Sequence, residues 1–179
     1  MQLATRRVYD GRVISLDLDT VRYPDGSTGE LEMIRHPGAA AVVPMLSDRD
    51  GPDPLILLLR QFRYAAGGTL WEIPAGRLAD GEAPADCARR ELLEEAGVTA
   101  GRVERLTTIW TTPGFTDEAI HLYVASDLTA AAHRRERDEF IEVAPRPLSA
   151  ALEMIRTGDL CDAKTAVAIL YVAGFVLGR

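Results

Sequence analysis

Three carboxylates, Glu91, Glu94 and Glu95, fall within a five-residue stretch that reads as part of a short helix. At roughly 100° per residue, Glu95 lies about 40° from Glu91 and Glu94 about 60° to its other side, so all three share one arc. Leu92, Leu93 and Ala96 occupy a different sector, the one expected to face a core. Carboxylates so arranged repel one another unless something positive sits between them. Hard divalent cations prefer oxygen ligands, and magnesium in particular is often held by a few carboxylates together with a substrate's phosphates. A metal is one counter-charge. The other is the chain itself, because a solvated acidic face pairing with Arg89 and Arg90 is common surface patterning.

The residues around the cluster decide between these readings. Gly76, Glu82, Arg90, Glu91, Leu92, Glu94, Glu95, Gly97 and Val98 satisfy every specified position of the pattern Gly-x5-Glu-x7-Arg-Glu-U-x-Glu-Glu-x-Gly-U, where U is aliphatic. That run resembles the Nudix box, and nine matched positions at fixed spacing are a far stronger signal than a lone glycine motif. The resemblance implies an α/β fold, a Nudix-type α/β/α sandwich with a mixed sheet, that hydrolyses a nucleoside diphosphate linked to another moiety. It assigns Glu91, Glu94 and Glu95 as metal ligands, joined by the carbonyl of Ala75, for magnesium or alternatively manganese. Arg90 and Glu82 would hold loop and helix in register, which puts Arg90 beside Glu95 in the catalytic group. Such cations would offset the charge of a bound pyrophosphate, polarise the attacked phosphorus and activate water.

Three flanking segments narrow the substrate. Arg60-Gln61-Phe62-Arg63, followed by Leu70-Trp71-Glu72-Ile73-Pro74-Ala75-Gly76, is similar to the approach strand of ADP-ribose pyrophosphatases. Thr112-Pro113-Gly114-Phe115-Thr116-Asp117-Glu118 resembles their Ser-Pro-Gly-Phe-x-x-Glu segment, with Thr in place of the usual Ser, and Pro113 stands 16 residues beyond Gly97, the offset of that subfamily. Asp162-Ala163-Lys164-Thr165 resembles the start of their last helix. On this resemblance Arg63, Phe62, Trp71, Glu72, Gly114, Phe115 and Glu118 are the substrate-binding candidates. Arg63 is the best placed chemically, since a forked guanidinium suits phosphate. Plainer readings stand beside these: Phe62 and Trp71 as core aromatics, Arg60 and Arg63 as edge-strand charges, and Pro113-Gly114-Phe115 as a turn. Asp162 reads as a helix cap and Lys164 as a surface charge.

A general base outside the metal's ligands is also required. In the resembling enzymes a loop glutamate just before a late strand commonly serves, and Glu139 matches that place best. Glu136 is second, and Glu142 reads as pointing outward from the strand. Nothing in the sequence pairs His121 or His133 with a carboxylate.

The elements that must position these groups follow from hydrophobic periodicity. Alternation predicts strands over 13–21 and 30–35, joined through a turn at Pro24-Asp25-Gly26-Ser27. Nearly continuous apolar runs at 39–46 and 55–62 suit strands covered on both faces. Further strands are expected over 107–111, 120–126 and 140–144. Helices are expected over 84–96, 148–156 and 163–177, with Pro84 in a first turn and Asp162 capping the last. Residues 1–38 thus read as an N-terminal β-hairpin segment and 39–179 as the hydrolase domain. In related enzymes such a segment builds a homodimer, and an isolated hairpin is marginal on its own.

Composition excludes several alternatives. With 179 residues, 47% hydrophobic and 26% charged, the chain supports one full core. A net charge of −7 argues against nucleic acid as a partner and leaves room for a small anionic substrate, which the resemblance implies is a nucleoside diphosphate sugar. Two cysteines and three histidines without zinc spacing make a disulfide scaffold or zinc site improbable. No apolar run is long enough to span a membrane, so a cytoplasmic address is expected. Rival readings are a hydrolase of GDP-mannose or another nucleotide sugar, and a non-catalytic sensor of ADP-ribose; the intact box weighs against the sensor.

Overall fold

The computed structural model describes residues 1–132 and 140–178. Its hub is a strand, β4 (Ala39–Pro44), whose small and β-branched side chains are all buried. Successive side chains on a strand point to opposite faces. Ala39, Ala41 and Val43 accordingly join one apolar cluster, and Ala40 and Val42 join another. β4 runs parallel to β9 (Ala119–Ala130) and antiparallel to the short β7 (Ala75–Arg77). β9 in turn pairs antiparallel with β8 (Val98–Trp110), completing a mixed sheet ordered β7-β4-β9-β8.

Helix α1 (Pro84–Ala96) covers one face through Cys87, Ala88, Leu92 and Ala96. Helices α2 (Leu148–Thr157) and α3 (Ala163–Tyr171) cover the other through Leu148, Ala151, Ala168 and Ile169. A second sheet, β10 (Ile141–Pro147), β5 (Leu55–Arg63) and β6 (Gly68–Glu72), lends Ile56 and Leu58 to one cluster and Leu57 and Leu59 to the other. The result is the α/β/α sandwich expected. Among the described residues no helix is long and apolar enough to cross a membrane.

The N-terminal segment is a three-stranded antiparallel sheet, β1 (Gln2–Asp10), β2 (Ser15–Arg22) and β3 (Thr28–Arg35), rather than a hairpin. Every residue of β1 is exposed, so its sequence carries no apolar alternation to betray it. β8 likewise begins directly after α1, well before the strand expected at 107–111. Arg102, Glu104 and Arg105 interrupt its pattern, and the long ladder with β9 supplies the order that periodicity does not. Gly76 lies within β7 rather than in an open loop. The last helix stops at Tyr171 and widens into a π-turn over Val172–Val176. Helix α1 itself spans the residues expected: Pro84 opens it, and Gly97, at φ +66°, closes it by donating its N–H to the carbonyls of Leu92 and Leu93. Leu93 is only half-buried, because it lies farther round the helix than Leu92 and Ala96.

Candidate active site

Arg90 holds the acidic end of α1 together. Its Nε and Nη2 donate to the two oxygens of Glu82 at 2.8 and 2.9 Å, and Nη1 donates to Glu91 at 2.5 Å and Glu94 at 3.0 Å. Nη2 also reaches the Arg77 carbonyl, so one guanidinium ties the helix to both β7 and the loop after it. The paired Arg90, assisted by the Ala79 N–H, holds the Glu82 carboxyl down at about 2. Glu82 in turn pushes Arg90 further above its ordinary range. Glu95 is 3% exposed and accepts the Ala75 N–H at 2.9 Å, which fixes it beneath β7.

Gly76 explains why the box opens on glycine. A Cβ there would lie 1.7 Å from Glu91 Oε1, so only a hydrogen leaves room for that carboxylate. Cys87, beneath β7, is fully buried, and burial pushes its thiol up to about 12, which disfavours the thiolate.

Two cavities meet at β7. One, of about 600 Å³, is lined by Glu91, Glu94, Glu95, Arg90, Gln61 and Arg63. The other, of about 370 Å³, is lined by His36, Arg63, Thr111, Glu118, Asp162 and Lys164. Ala75, Gly76 and Arg77 also belong to both. Arg63 therefore stands at the junction. Its Nε and Nη2 grip Glu72 at 2.7 and 2.8 Å, and Lys164 Nζ reaches Glu72 at 2.6 Å and Asp162 at 2.9 Å. Burial alone would push Glu72 up, but Arg63 and Lys164 together hold it below the ordinary carboxylate range. Asp162 caps α3 through the Thr165 N–H at 3.1 Å, and the Thr165 hydroxyl accepts the Ile73 N–H at 3.0 Å. This chain fixes the start of α3 against the strand that carries Glu72.

Of the residues expected to touch substrate, Arg63 and Glu118 line the second cavity, and Phe115 lines an adjoining groove of about 260 Å³. Phe62, Trp71, Glu72 and Gly114 line none of these three spaces. Phe62 is half-exposed, Glu72 is buried between its two cations, and Trp71 packs on the core with the Arg146 guanidinium 5.0 Å above its ring. Lys164 is no surface charge: its side chain is 13% exposed and paired twice, because α3 brings it over Glu72 from 92 residues away. Glu142 is exposed on β10 opposite Arg60, outside both cavities. Glu139 and Glu136 lie outside the described residues.

Sequence reasoning passed over His36 and Thr111 as site residues, and it assigned Lys164 only as a surface charge. The Thr111 hydroxyl donates to Glu118 at 2.9 Å, and His36 Nδ1 accepts the Gly38 N–H at 3.1 Å while lying 3.6 Å from Glu118. In the sequence His36 is followed by Pro37 and Gly38, which read only as a break between the strand over 30–35 and the apolar run at 39–46.

Among the described residues no three carboxylate, imidazole or thiol groups converge on one point as an ion's cage. The chemistry of the donors nonetheless fits a hard divalent cation. Glu91 and Glu95 are buried carboxylates backed by a glycine cradle and a backbone amide, and Glu94 flanks them on the cavity side. Arg90 would then share Glu91 and Glu94 with the ion.

A model of the NUDIX domain matches residues 35–164. An ADP-ribose pyrophosphatase of Bacillus subtilis (strain 168) is 38% identical over 172 residues, covering 95% of this chain and 90% of that protein. A GDP-mannose pyrophosphatase of Escherichia coli O139:H28 is 39% identical over 126 residues, covering 65% of each. Among solved structures, one described as an ADP compounds hydrolase superposes with a TM-score of 0.83 at 20% identity, covering 99% of this chain and 94% of that one. At that identity it speaks for the fold alone.

Proposed function

The chain belongs to the NUDIX family, and from that premise we propose that it is a metal-dependent ADP-ribose pyrophosphatase, releasing AMP and ribose 5-phosphate. The observation that carries this reading is the pair of cavities joined at Arg63, one lined by the three carboxylates of α1 beside Arg90 and the other by Lys164, Thr111, His36 and two carboxylates, Glu118 and Asp162. A pyrophosphate seated across the junction meets the guanidinium, while the group attached to it enters the second cavity.

Glu91, Glu94, Glu95 and the Ala75 carbonyl would hold divalent cations, magnesium or manganese, which when bound offset the pyrophosphate's charge and supply Lewis acidity at the phosphorus. The protein's own groups do the rest. Glu72 pre-sets the Arg63 fork, so little freedom is lost when phosphate binds. Lys164, held by Glu72 and Asp162, adds a further positive group to the lining of the second cavity. Thr111, Glu118 and His36 offer hydrogen bonds to hydroxyls on the far side. Glu139 is assigned as the general base on the family resemblance, with Glu136 second. Phe62, Phe115 and Gly114 are kept as contacts for substrate reaching beyond the cavities, and Trp71 as support beneath them.

The division into a segment 1–38 and a hydrolase domain 39–179 belongs to the same proposal, with the chain acting as a homodimer through the first segment in the cytoplasm. The fully exposed β1, with Leu3, Val8 and Tyr9 on its surface, supports that use of the segment. Light scattering on the whole protein checks it: a monomeric mass would remove the dimer.

A substrate panel tests the main reading, with phosphate release coupled to a phosphatase. ADP-ribose is expected to give the highest kcat/KM. If GDP-mannose, to whose pyrophosphatases the chain is also similar, turned over much faster at low concentration, ADP-ribose would lose its place. Binding of ADP-ribose without any hydrolysis in the presence of magnesium would instead make the chain a sensor.

A further inference from the structure

We propose that Asp117 is a positioning residue: clamped by Arg35, it sets the wall of the second cavity and makes substrate affinity depend on the N-terminal sheet. The inference rests on the hydrolase reading above but concerns a residue at an unspecified position of the Thr112-to-Glu118 motif. Asp117 spends both oxygens on the end of β3. Oδ2 accepts Arg35 Nη1 at 3.2 Å, and Oδ1 accepts the His36 backbone N–H at 2.8 Å. The main chains are laced together at the same place: the Ile34 N–H donates to the Phe115 carbonyl at 2.8 Å and the Asp117 N–H to the Ile34 carbonyl at 3.2 Å.

The residue that follows Arg35 and the residue that follows Asp117 are both cavity residues. His36 and Glu118 line the same space, 3.6 Å apart at Nδ1 and Oε1. Fixing Asp117 therefore fixes both sides of that wall. Arg35 is itself immobilised from behind. Its Nε donates to Asp17 at 3.1 Å and its Nη2 to Asp19, two carboxylates of β2 that are each 5% exposed. A guanidinium held by two buried carboxylates makes a rigid anchor, and the third carboxylate hangs the loop from it. The groups facing the pyrophosphate, Arg63 and the carboxylates of α1, are not part of this network, so its loss should fall on binding more than on the chemical step.

The test compares Asp117→Ala, Asp117→Asn and, as a control on the same network away from the cavity, Asp10→Asn. Steady-state kinetics use the best substrate of the panel, alongside amide hydrogen exchange over 112–118. Asp117→Ala should raise KM about tenfold with kcat within about twofold of wild type, and should speed exchange in the segment. Asp117→Asn keeps an acceptor for the His36 N–H and should raise KM less, by about threefold. Asp10→Asn should match wild type. An unchanged KM in Asp117→Ala, or a fall in kcat at constant KM, overturns the proposal. Should the alanine variant fail to fold, the asparagine variant decides on the same criteria. If wild type turns over no nucleotide sugar, the hydrolase reading fails, and the exchange comparison alone then judges the clamp: unchanged exchange in the variants refutes it.

Discussion

Arg90 and Arg35 each hold three carboxylates, but they gather them from very different distances along the chain. Arg90 takes Glu82, Glu91 and Glu94, all within eight residues. Arg35 takes Asp17, Asp19 and Asp117, which are 18, 16 and 82 residues away. The first network is local in sequence: Glu94 is one helical turn from Arg90, Glu91 is its neighbour, and Glu82 lies in the short loop just before the helix. The second exists only because β2 pairs with β3 in a register that puts two aspartates of one strand face beside Arg35, and because a loop from beyond β8 docks on the end of β3. The two also differ in task. The Arg90 network includes two of the carboxylates proposed to hold the metal, whereas the Arg35 network borders the wall of the neighbouring cavity.

The sharpest test of that division lies in the Arg90 region. Glu95→Gln should lower turnover by about 100-fold or more with the fold intact by circular dichroism. Near-normal turnover in the folded variant would remove the carboxylates of α1 from the chemistry. Gly76→Ala comes next. Its φ needs no left-handed backbone, so the strain comes from the new Cβ against Glu91, and displacing that carboxylate by about 1 Å should cost roughly 10- to 100-fold in kcat/KM. If Gly76→Ala matched wild type, the cradle would have no part in activity. The tenfold KM effect expected at Asp117 stands below both, and a larger loss there than at Gly76 would reverse the assignment of tasks.

A pH comparison separates the networks by stability. Glu82 titrates at about 2 in the folded protein, below its ordinary value, so its ion pair with Arg90 contributes fully above about pH 4.5. That contribution fades as pH falls from about 4.5 toward 2. Glu82→Gln should be less stable on the neutral plateau and lose less on acidification, as read by urea unfolding at several pH values. An unchanged acid limb would mean that other carboxylates carry it. The smallest effect is expected at Arg7, which is half-exposed and shares Asp17 with Arg35. Arg7→Ala should leave the unfolding midpoint nearly where it was, because exposed pairs contribute little. A large drop would show that the N-terminal sheet depends on Arg7 rather than Arg35.

Several elements are legible in the residue order itself. The bounds of α1 follow from Pro84 and Gly97, and the acidic arc follows from the spacing of Glu91, Glu94 and Glu95. β4 follows from an apolar run with no polar face to expose. β1 is not legible, since none of its residues is buried. Nor is the part of β8 that precedes residue 107, where charged residues occupy a strand ordered by its partner. The site divides the same way. Arg63 can be named from its type and its place in the approach strand, but Glu72 as its buried partner cannot.

What the sequence alone determined is the local chemistry: which carboxylates share a helix face and which arginine is near enough to pair with them. Such facts depend on fixed rise and rotation per residue. The tertiary structure alone decided the rest. It brought Lys164 over Glu72, hung Asp117 from Arg35 and set His36 beside Glu118. Those contacts join segments up to 92 residues apart, and no local periodicity encodes a distance that only sheet register and layer packing establish.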